Sequence, residues 1–366
     1  MLFRKQVGGI SRVVVGLSGG VDSAVAAYLL KKQGYQVIGV TLRTWQAESG
    51  AYSRCCDISD ARRTAMQLDI PFYNVNSLPE FREHVTEPFV KAYLSGLTPN
   101  PCVACNKHIK WERLLSFADE INAEYVATGH YARIVRTESG RYTVKQAAYA
   151  AKDQTYMLYQ LSQEQLSRTL MPLADLTKEE VREIAKKAGL YVADKQDSQE
   201  ICFVLDGGYA DYIDAHVEGK LPPPGNFVDE EGKVLGKHKG IIHYTVGQRK
   251  GLGIALGYPA YVKRIDPENN TVVLGNEDSV MKSRILVRDL DFMSIEGIEK
   301  GEKIKAFVKI RYHHAASDAY LERIDDNTIS VVFDKPVKAP APGQSAVFYD
   351  SENRVMGGGI IQPDIQ

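Results

Sequence analysis

The sequence predicts an α/β protein in which a helix-wound parallel sheet is followed by two β-rich modules, and three observations carry that prediction. Val13–Ser23, VVVGLSGGVDS, runs a β-branched strand through glycines into an apolar helix. Strand and helix patterns then alternate, the signature of βαβ units. Beyond Leu205 the composition turns rich in Pro and Gly, and short segments follow in which apolar and polar residues alternate. The expected division is a Rossmann-like parallel-sheet domain over 1–206, a small β module over 207–277 and a C-terminal β-barrel over 278–366. At 366 residues the chain is long enough for two or three domains with a sizeable core.

Taken in order, Val13, Val14 and Val15 make a buried strand, Gly16 to Gly20 a loop nearly without side chains, and Ser23 opens a helix. Such a turn presents backbone N–H groups and the positive end of a helix dipole to one small volume, which suits phosphate. Ser18 and Ser23 add hydroxyls. In AVAAYLLKKQGYQV, Val25, Ala26, Leu29 and Leu30 fall at helical spacing, with Gly34 as the stop. QVIGVTLR reads as the second strand, Asp57 to Leu68 as a helix, PFYNVN as a strand, and Ile109 to Ile121 as a helix leading into EYVATGH. Ligands of parallel sheets sit at the carboxyl ends of the strands, so Leu42 and Gly129 converge on the Gly16–Ser23 loop.

No lysine follows the glycines as a Walker A loop requires, and the spacing is not G-x-G-x-x-G. SGGVDS instead resembles the SGGxDS loop of the ATP pyrophosphatase superfamily, which implies cleavage of ATP between the α and β phosphates and transfer of AMP to an oxygen. By that resemblance Gly16, Leu17, Ser18, Gly19, Gly20, Val21, Asp22, Ser23, Leu42 and Gly129 line the ATP site. Mg²⁺ accompanies the nucleotide, and Asp22 serves either the metal or the loop. No stretch approaches the roughly 18 apolar residues of a membrane span, and MLFRKQVGGISR lacks a signal-peptide core, so the expected location is the cytoplasm. Cytosolic thiols are kept reduced, so Cys55, Cys56, Cys102, Cys105 and Cys202 point to chemistry or metal rather than a disulfide framework. The net charge of −1 does not mark a nucleic-acid binder. Yet Gly232–Arg264 holds seven Lys and Arg and no acid, which reads as either a phosphate-facing surface or a solvated face.

In TPNPCVACNKHIKW, prolines force a turn and Cys105 starts a helix, where the dipole stabilises a thiolate. Lys107 and Lys110 would strengthen that field. Lys152, Asp153 and Gln154 stand before TYMLYQL, and Asp153 is equally readable as a helix cap. Cys202, between Ile201 and Phe203, ends a strand or a turn and by itself is readable as a small apolar residue. GKLPPPGNFVDEEGKVLGKHKG reads as linker and turns, and IIHYTVGQ and AYVKRIDPENNTVVLG as short strands. In Lys303–Arg311, Ile304, Ala306, Val308 and Ile310 face one way and the cationic residues the other. AVFYD and RVMGGGIIQ complete the barrel.

The ordered set SGGVDS, TPNPCVACN, ATGHYAR, KDQTYMLY, DSQEICFV and HYTVGQRKGLGIA resembles the tRNA-specific 2-thiouridylase family along essentially the whole chain. The resemblance implies ATP-dependent replacement of the C2 oxygen of the wobble uridine by sulfur. Cys105 is then the nucleophile and Cys202 the persulfide carrier. Asn100, Pro101 and Cys102 lie at the target base, and Lys152, Asp153, Gln154, Arg311 and Tyr312 contact tRNA. A cysteine desulfurase or sulfur-relay protein supplies the sulfur, and the chain acts as a monomer. The family often has Asn-Pro-Asp where this chain has Asn100-Pro101-Cys102. That departure leaves three readings open: Cys102 is a tolerated small residue and no metal binds, Cys102, Cys105 and Cys202 form an iron–sulfur ligand set, or with His108 they form a zinc set. The competing functions are thiolation with such a cluster, a loop-containing synthetase acting on a small molecule, and a non-catalytic tRNA-binding protein.

Overall fold

The computed structural model describes residues 10–45, 57–196, 201–204, 208–217 and 219–364. Cys55 and Cys56 lie outside the described residues. The chain forms two compact units, one of Met1–Val85 with Cys102–Leu205 and the other of Thr86–Pro101 with Asp206–Gln366.

The first unit is built on β1 (Arg12–Gly16), β2 (Gln36–Arg43), β3 (Phe72–Asn76), β4 (Tyr125–Ala127), the hairpin β5 (Arg133–Arg136) and β6 (Tyr142–Lys145), and β7 (Thr169–Leu170). The main sheet has the order β3-β2-β1-β4-β7 and every pair is parallel. Val15 pairs with Gly39 on one side and Ala127 on the other, so chain order reverses between β1 and β4. That reversal places the crevice at their carboxyl ends. Helix α1 (Val21–Lys32) is rich in small residues, and Ala24, Val25, Ala26 and Ala27 are fully buried. They pack with Val13, Val15 and Leu17 and, across the helix Lys178–Lys187, with Val181 and Ala185. Helix α2 (Ile58–Gln67) is capped by Asp57, whose Oδ1 accepts from the Asp60 N–H at 3.1 Å. The strands and helices read from Val13 to EYVATGH are present, whereas TYMLYQL forms a 3₁₀ turn at Thr155–Leu158.

Two helix starts differ from expectation. Helix α1 begins at Val21 with Gly20 as its N-cap, so Ser23 is its third residue. The helix carrying Cys105 begins at Pro101, because a proline at the first helical position forfeits no hydrogen bond. Cys105 therefore sits one turn inside it, at the start of the π-wound stretch Cys105–Trp111 that continues into Glu112–Glu120.

The second unit carries a four-stranded sheet and a closed six-stranded barrel. The sheet has the order β10-β11-β8-β9, from β8 (Gly225–Val228), β9 (Val234–His238), β10 (Tyr261–Asp266) and β11 (Thr271–Gly275). GNFVDEEGKVLGKH, read as linker and turns, is the β8–β9 hairpin. IIHYTVGQ, read as a strand, is a 3₁₀ turn at Ile241–His243 followed by a turn in which the Gln248 N–H donates to the Thr245 carbonyl. The apolar alternation there serves burial of Ile241, Ile242 and Tyr244 and makes no ladder. The barrel closes through β12 (Met281–Phe292), β13 (Lys303–Lys309), β14 (Ser317–Asp325), β15 (Thr328–Lys338), β16 (Ser345–Tyr349) and β17 (Val355–Ile361), in the order β12-β15-β14-β13-β16-β17. Ala306, Val308 and Ile310 line its core and Lys303 and Lys305 face outward, as the alternation requires. The fold class read from the sequence, a parallel α/β domain followed by a small β module and a β-barrel, is the fold observed.

Candidate nucleotide and thiol site

The loop after β1 is held open by its own serines. Ser23 Oγ accepts from the Ser18 N–H at 3.2 Å and donates to the Gly20 carbonyl at 3.0 Å, and Ser18 Oγ lies 3.1 Å from Ser23 Oγ. Gly19 has φ +76°, and a Cβ there would meet the Asp57 carbonyl oxygen at 2.6 Å. Gly129, just beyond β4, lies against the first turn of α1: a Cβ would stand 2.7 Å from Asp22 C and 2.7 Å from Ser23 N. Leu17 is buried, and its carbonyl accepts from Thr41 Oγ1 at 2.7 Å, which fixes the loop to β2 one residue before Leu42. The residues assigned to ATP thus meet at the carboxyl ends of β1, β2 and β4, beside the N-terminus of α1.

Asp22 is engaged on both carboxylate oxygens. Lys178 Nζ donates to them at 2.7 and 2.8 Å, and the Tyr131 hydroxyl donates to Oδ1 at 2.8 Å. Those two donors tie the first turn of α1 to the Lys178–Lys187 helix and to Tyr131. Asp57, on the other flank, accepts from Lys195 Nζ at 2.9 Å, as does Asp60 at 2.5 Å. Partial burial pushes the Asp57 carboxyl up, but the hydrogen bonds from Lys195 and from the Asp60 amide outweigh it and hold the carboxyl below its usual range. Burial pushes His130 well below the ordinary histidine value, with the Lys110 ammonium acting the same way. The ring is neutral at pH 7, 2.8 Å from Thr128 Oγ1 through Nδ1.

The thiol-bearing segments belong to the first unit. Cys102 is exposed, and Cys105 and Cys202 are half-buried. Asn106, next to Cys105, donates to the Met157 carbonyl at 2.9 Å, which ties the Cys105 helix to the KDQTYM segment. Cys202 sits in a turn closed by the Val204 N–H on the Ile201 carbonyl at 3.1 Å, with Phe203 edge-on to Phe81 at 5.7 Å. Of the two placements read from sequence, the turn is the one adopted. Among the described residues no group of three His, Cys, Asp or Glu side chains is arranged to hold a metal ion. Cys102, Cys105, Cys202 and His108 are therefore not gathered as an iron–sulfur or zinc ligand set. His108 stacks on His84 at 4.9 Å and lies 3.1 Å from Glu112.

In the RNA-assigned set, Lys152 is half-buried. Asp153 is buried, accepting from the Thr155 hydroxyl at 2.7 Å and from the Ala147 N–H at 3.4 Å. Asp153 closes a 3₁₀ turn instead of opening a helix. Gln154 Oε1 accepts from the Tyr131 N–H at 2.9 Å. In the second unit, Asn100 and Pro101 follow a stretch clamped by the barrel: the Thr98 N–H donates to the Pro342 carbonyl at 2.8 Å, and Gln344 Nε2 donates to the Thr98 and Pro99 carbonyls at 3.0 and 3.2 Å. Arg311 is exposed, and Tyr312 lies edge-on to His313 at 4.7 Å. Of the acid-free cations, Lys263 pairs with Glu230 and Arg264 with Asp266, acids that lie just outside Gly232–Arg264.

The chain matches the family described as the tRNA methyl transferase HUP domain over residues 11–206, the tRNA methyl transferase PRC-barrel domain over 210–276 and the Aminomethyltransferase beta-barrel domain over 282–361. The tRNA-specific 2-thiouridylase MnmA of Lachnoclostridium phytofermentans is 53% identical over 360 residues, 96% of this chain and all of that protein. The chain belongs to the tRNA-specific 2-thiouridylase family. Within it, MnmA of Clostridioides difficile is 49% identical over 97% of this chain and 99% of that protein. MnmA of Acetivibrio thermocellus is 50% identical over 96% and 99%.

Sequence reasoning missed Lys178 and Tyr131. They reach Asp22 from 156 and 109 residues away. A signal for Lys178 existed: Thr177 and Glu180 form a capping box, so Lys178 is the first residue of its helix, where a cation opposes the dipole. A lysine in that place needs an anion, and Asp22 is it. Among the described residues no helix is long and apolar enough to cross a membrane.

Proposed function

We propose that the protein is an ATP-dependent tRNA-uridine 2-sulfurtransferase that thiolates the wobble uridine of tRNA anticodons. The observation that carries this reading is the close approach of Gly129 to the first turn of α1 beside the glycine loop, in a chain that matches 2-thiouridylases from end to end.

The uracil C2 oxygen is a poor leaving group, so it is first converted into one. The triphosphate lies in the Gly16–Ser23 loop with its phosphates on the helix N-terminus, and Leu42 and Gly129 flank the adenosine. The C2 oxygen of the extruded base attacks the α phosphorus and pyrophosphate leaves. Bound Mg²⁺ supplies neutralisation of phosphate charge. The terminal sulfur of a Cys202 persulfide attacks C2 and the C2–O bond breaks, releasing AMP. Cys105 takes up the Cys202 sulfur as a disulfide, either as the new C–S bond forms or beforehand, by freeing hydrosulfide as the attacking species. In both routes a Cys105–Cys202 disulfide remains, and an external thiol reductant restores the two thiols. A desulfurase or sulfur-relay protein reloads Cys202. Asn100 to Cys102 meet the base, and Lys152–Gln154, Arg311 and Tyr312 meet the RNA.

The test is nucleoside mass spectrometry of unmodified tRNA after incubation with chelator-treated protein, ATP, Mg²⁺, a cysteine desulfurase and cysteine. Formation of 2-thiouridine supports the persulfide route. Formation only after anaerobic reconstitution with iron and sulfide would reassign Cys102, Cys105 and Cys202 as cluster ligands. No product in either case would favour a small-molecule synthetase.

A further inference from the structure

The nucleotide loop and the Lys152–Gln154 segment are joined by one continuous set of hydrogen bonds. Gln154 occupies both backbone groups of Tyr131: its Oε1 accepts from the Tyr131 N–H at 2.9 Å, and its own N–H donates to the Tyr131 carbonyl at 3.0 Å. The Tyr131 ring is 2% exposed and packed in the core shared with α1, so it has no room to swing. Its hydroxyl reaches Asp22, the second residue of α1, at 2.8 Å, and Lys178 closes the far side of the same carboxylate. At the other end Asp153 is fixed to Ala147 and Thr155, so Lys152–Gln154 moves as a piece. A displacement of that segment either carries Tyr131 and Asp22 with it or breaks a charge-assisted hydrogen bond, one of the stronger kinds.

We propose that Tyr131 is a positioning residue that couples docking of RNA on Lys152–Gln154 to the geometry of the nucleotide loop, so that tRNA and ATP bind cooperatively. The inference rests on the reading of Lys152–Gln154 as an RNA contact. It predicts that the crevice is set for adenylation when the base donor is present, which limits idle consumption of ATP. By linkage, the factor by which nucleotide tightens tRNA equals the factor by which tRNA tightens nucleotide.

The experiment measures the dissociation constant of unmodified tRNA with and without an α,β-methylene ATP analogue, on the full chain and on Tyr131→Phe, which keeps the ring and the backbone bonds to Gln154 and deletes the reach to Asp22. In the wild type the analogue tightens tRNA about tenfold, within the usual range of such couplings. In Tyr131→Phe the factor falls to near one, while tRNA affinity without nucleotide is retained. If Tyr131→Phe does not fold, Asp22→Asn, which removes the charge at the far end of the same hydrogen bond, shows the same loss with the analogue at saturation. A wild-type factor of one, or a wild-type factor surviving in the folded variant, overturns the proposal. Lys152→Ala separates this from failure of the underlying reading. If it leaves tRNA affinity unchanged, the segment is no RNA contact and the proposal falls with it. If it weakens tRNA while Tyr131→Phe keeps the coupling, the coupling role alone is wrong.

Discussion

Gly129→Ala is the smallest change that tests the crevice. The added methyl would stand 2.7 Å from Asp22 C and Ser23 N and 3.1 Å from Asp22 Cβ, where ordinary contact begins at 3.4 Å. Either the turn after β4 or the first turn of α1 must retreat by about 0.7 Å. The helix is poorly placed to do so, since Asp22 is held by Lys178 and Tyr131 and Ala24 and Val25 are fully buried. Overpacking against backbone costs about 1–3 kcal/mol. At about 2–4 °C per kcal/mol for a unit of this size, the melting transition of the first unit drops by several degrees. Misplacement approaching 1 Å costs about 10²-fold in rate, so kcat/KM for tRNA-dependent pyrophosphate release falls on that order, while tRNA binding without nucleotide is kept. The assays are calorimetry, pyrophosphate release and filter binding. A variant with wild-type melting and wild-type kcat/KM would refute both the tight approach and the placement of the nucleotide beside residue 129.

Three further predictions follow from the same arrangement. Cys202→Ser abolishes 2-thiouridine formation and preserves tRNA affinity, because in the proposed route the thiol supplies chemistry and no phosphate contact; equal loss of affinity in a binding titration would sink that division. Lys152→Ala combined with Arg311→Ala weakens tRNA binding and flattens its salt dependence by about 0.7–0.9 in log–log slope per phosphate contact removed, and an unchanged slope counts against both contacts. Burial lowers the His238 pKa below 6.5, against the raising effect of the Asn270 carbonyl, and its Nδ1 accepts from the Gly240 N–H at 3.0 Å. The unfolded chain then binds more protons between the folded value and 6.5, so this contribution is full above 6.5 and is lost as pH falls through the folded value. In urea unfolding, the stability gap between wild type and His238→Gln narrows on going from about pH 7.5 to about pH 5; a constant gap contradicts the assignment.

Local pattern was enough to read the parallel sheet, because β1 and β2 are buried on both faces and so appear as continuous apolar runs. The barrel was legible for the opposite reason, one face in and one face out along Lys303–Lys309. IIHYTVGQ defeated the same logic: a short run that alternates for burial looks like a strand until the chain's turn at Gly240, φ +127°, is known. The β8–β9 hairpin hid among Pro and Gly, with Val234 more than half exposed at the strand's start. At the site, the glycine loop announced itself within eleven residues. Its supports did not, because Tyr131, Lys178 and Lys195 act on Asp22 and Asp57 through side chains that converge only once the sheet is formed.

The clamp on Thr98 and Pro99 bears on how this protein can be re-engineered. A barrel at the end of an RNA enzyme invites exchange, as if it were an interchangeable grip. Here the turn at 342–344 grasps the backbone immediately before Asn100, and Gly343 has no space for a substituent, since a Cβ would meet the Thr98 N at 2.9 Å. A chimera that swaps the barrel therefore changes the mooring of Asn100 along with the grip. The transplantable piece is the second unit as a whole, residues 86–101 with 206–366, and a recombinant that respects that seam keeps the backbone before Asn100 moored while one that cuts inside it does not.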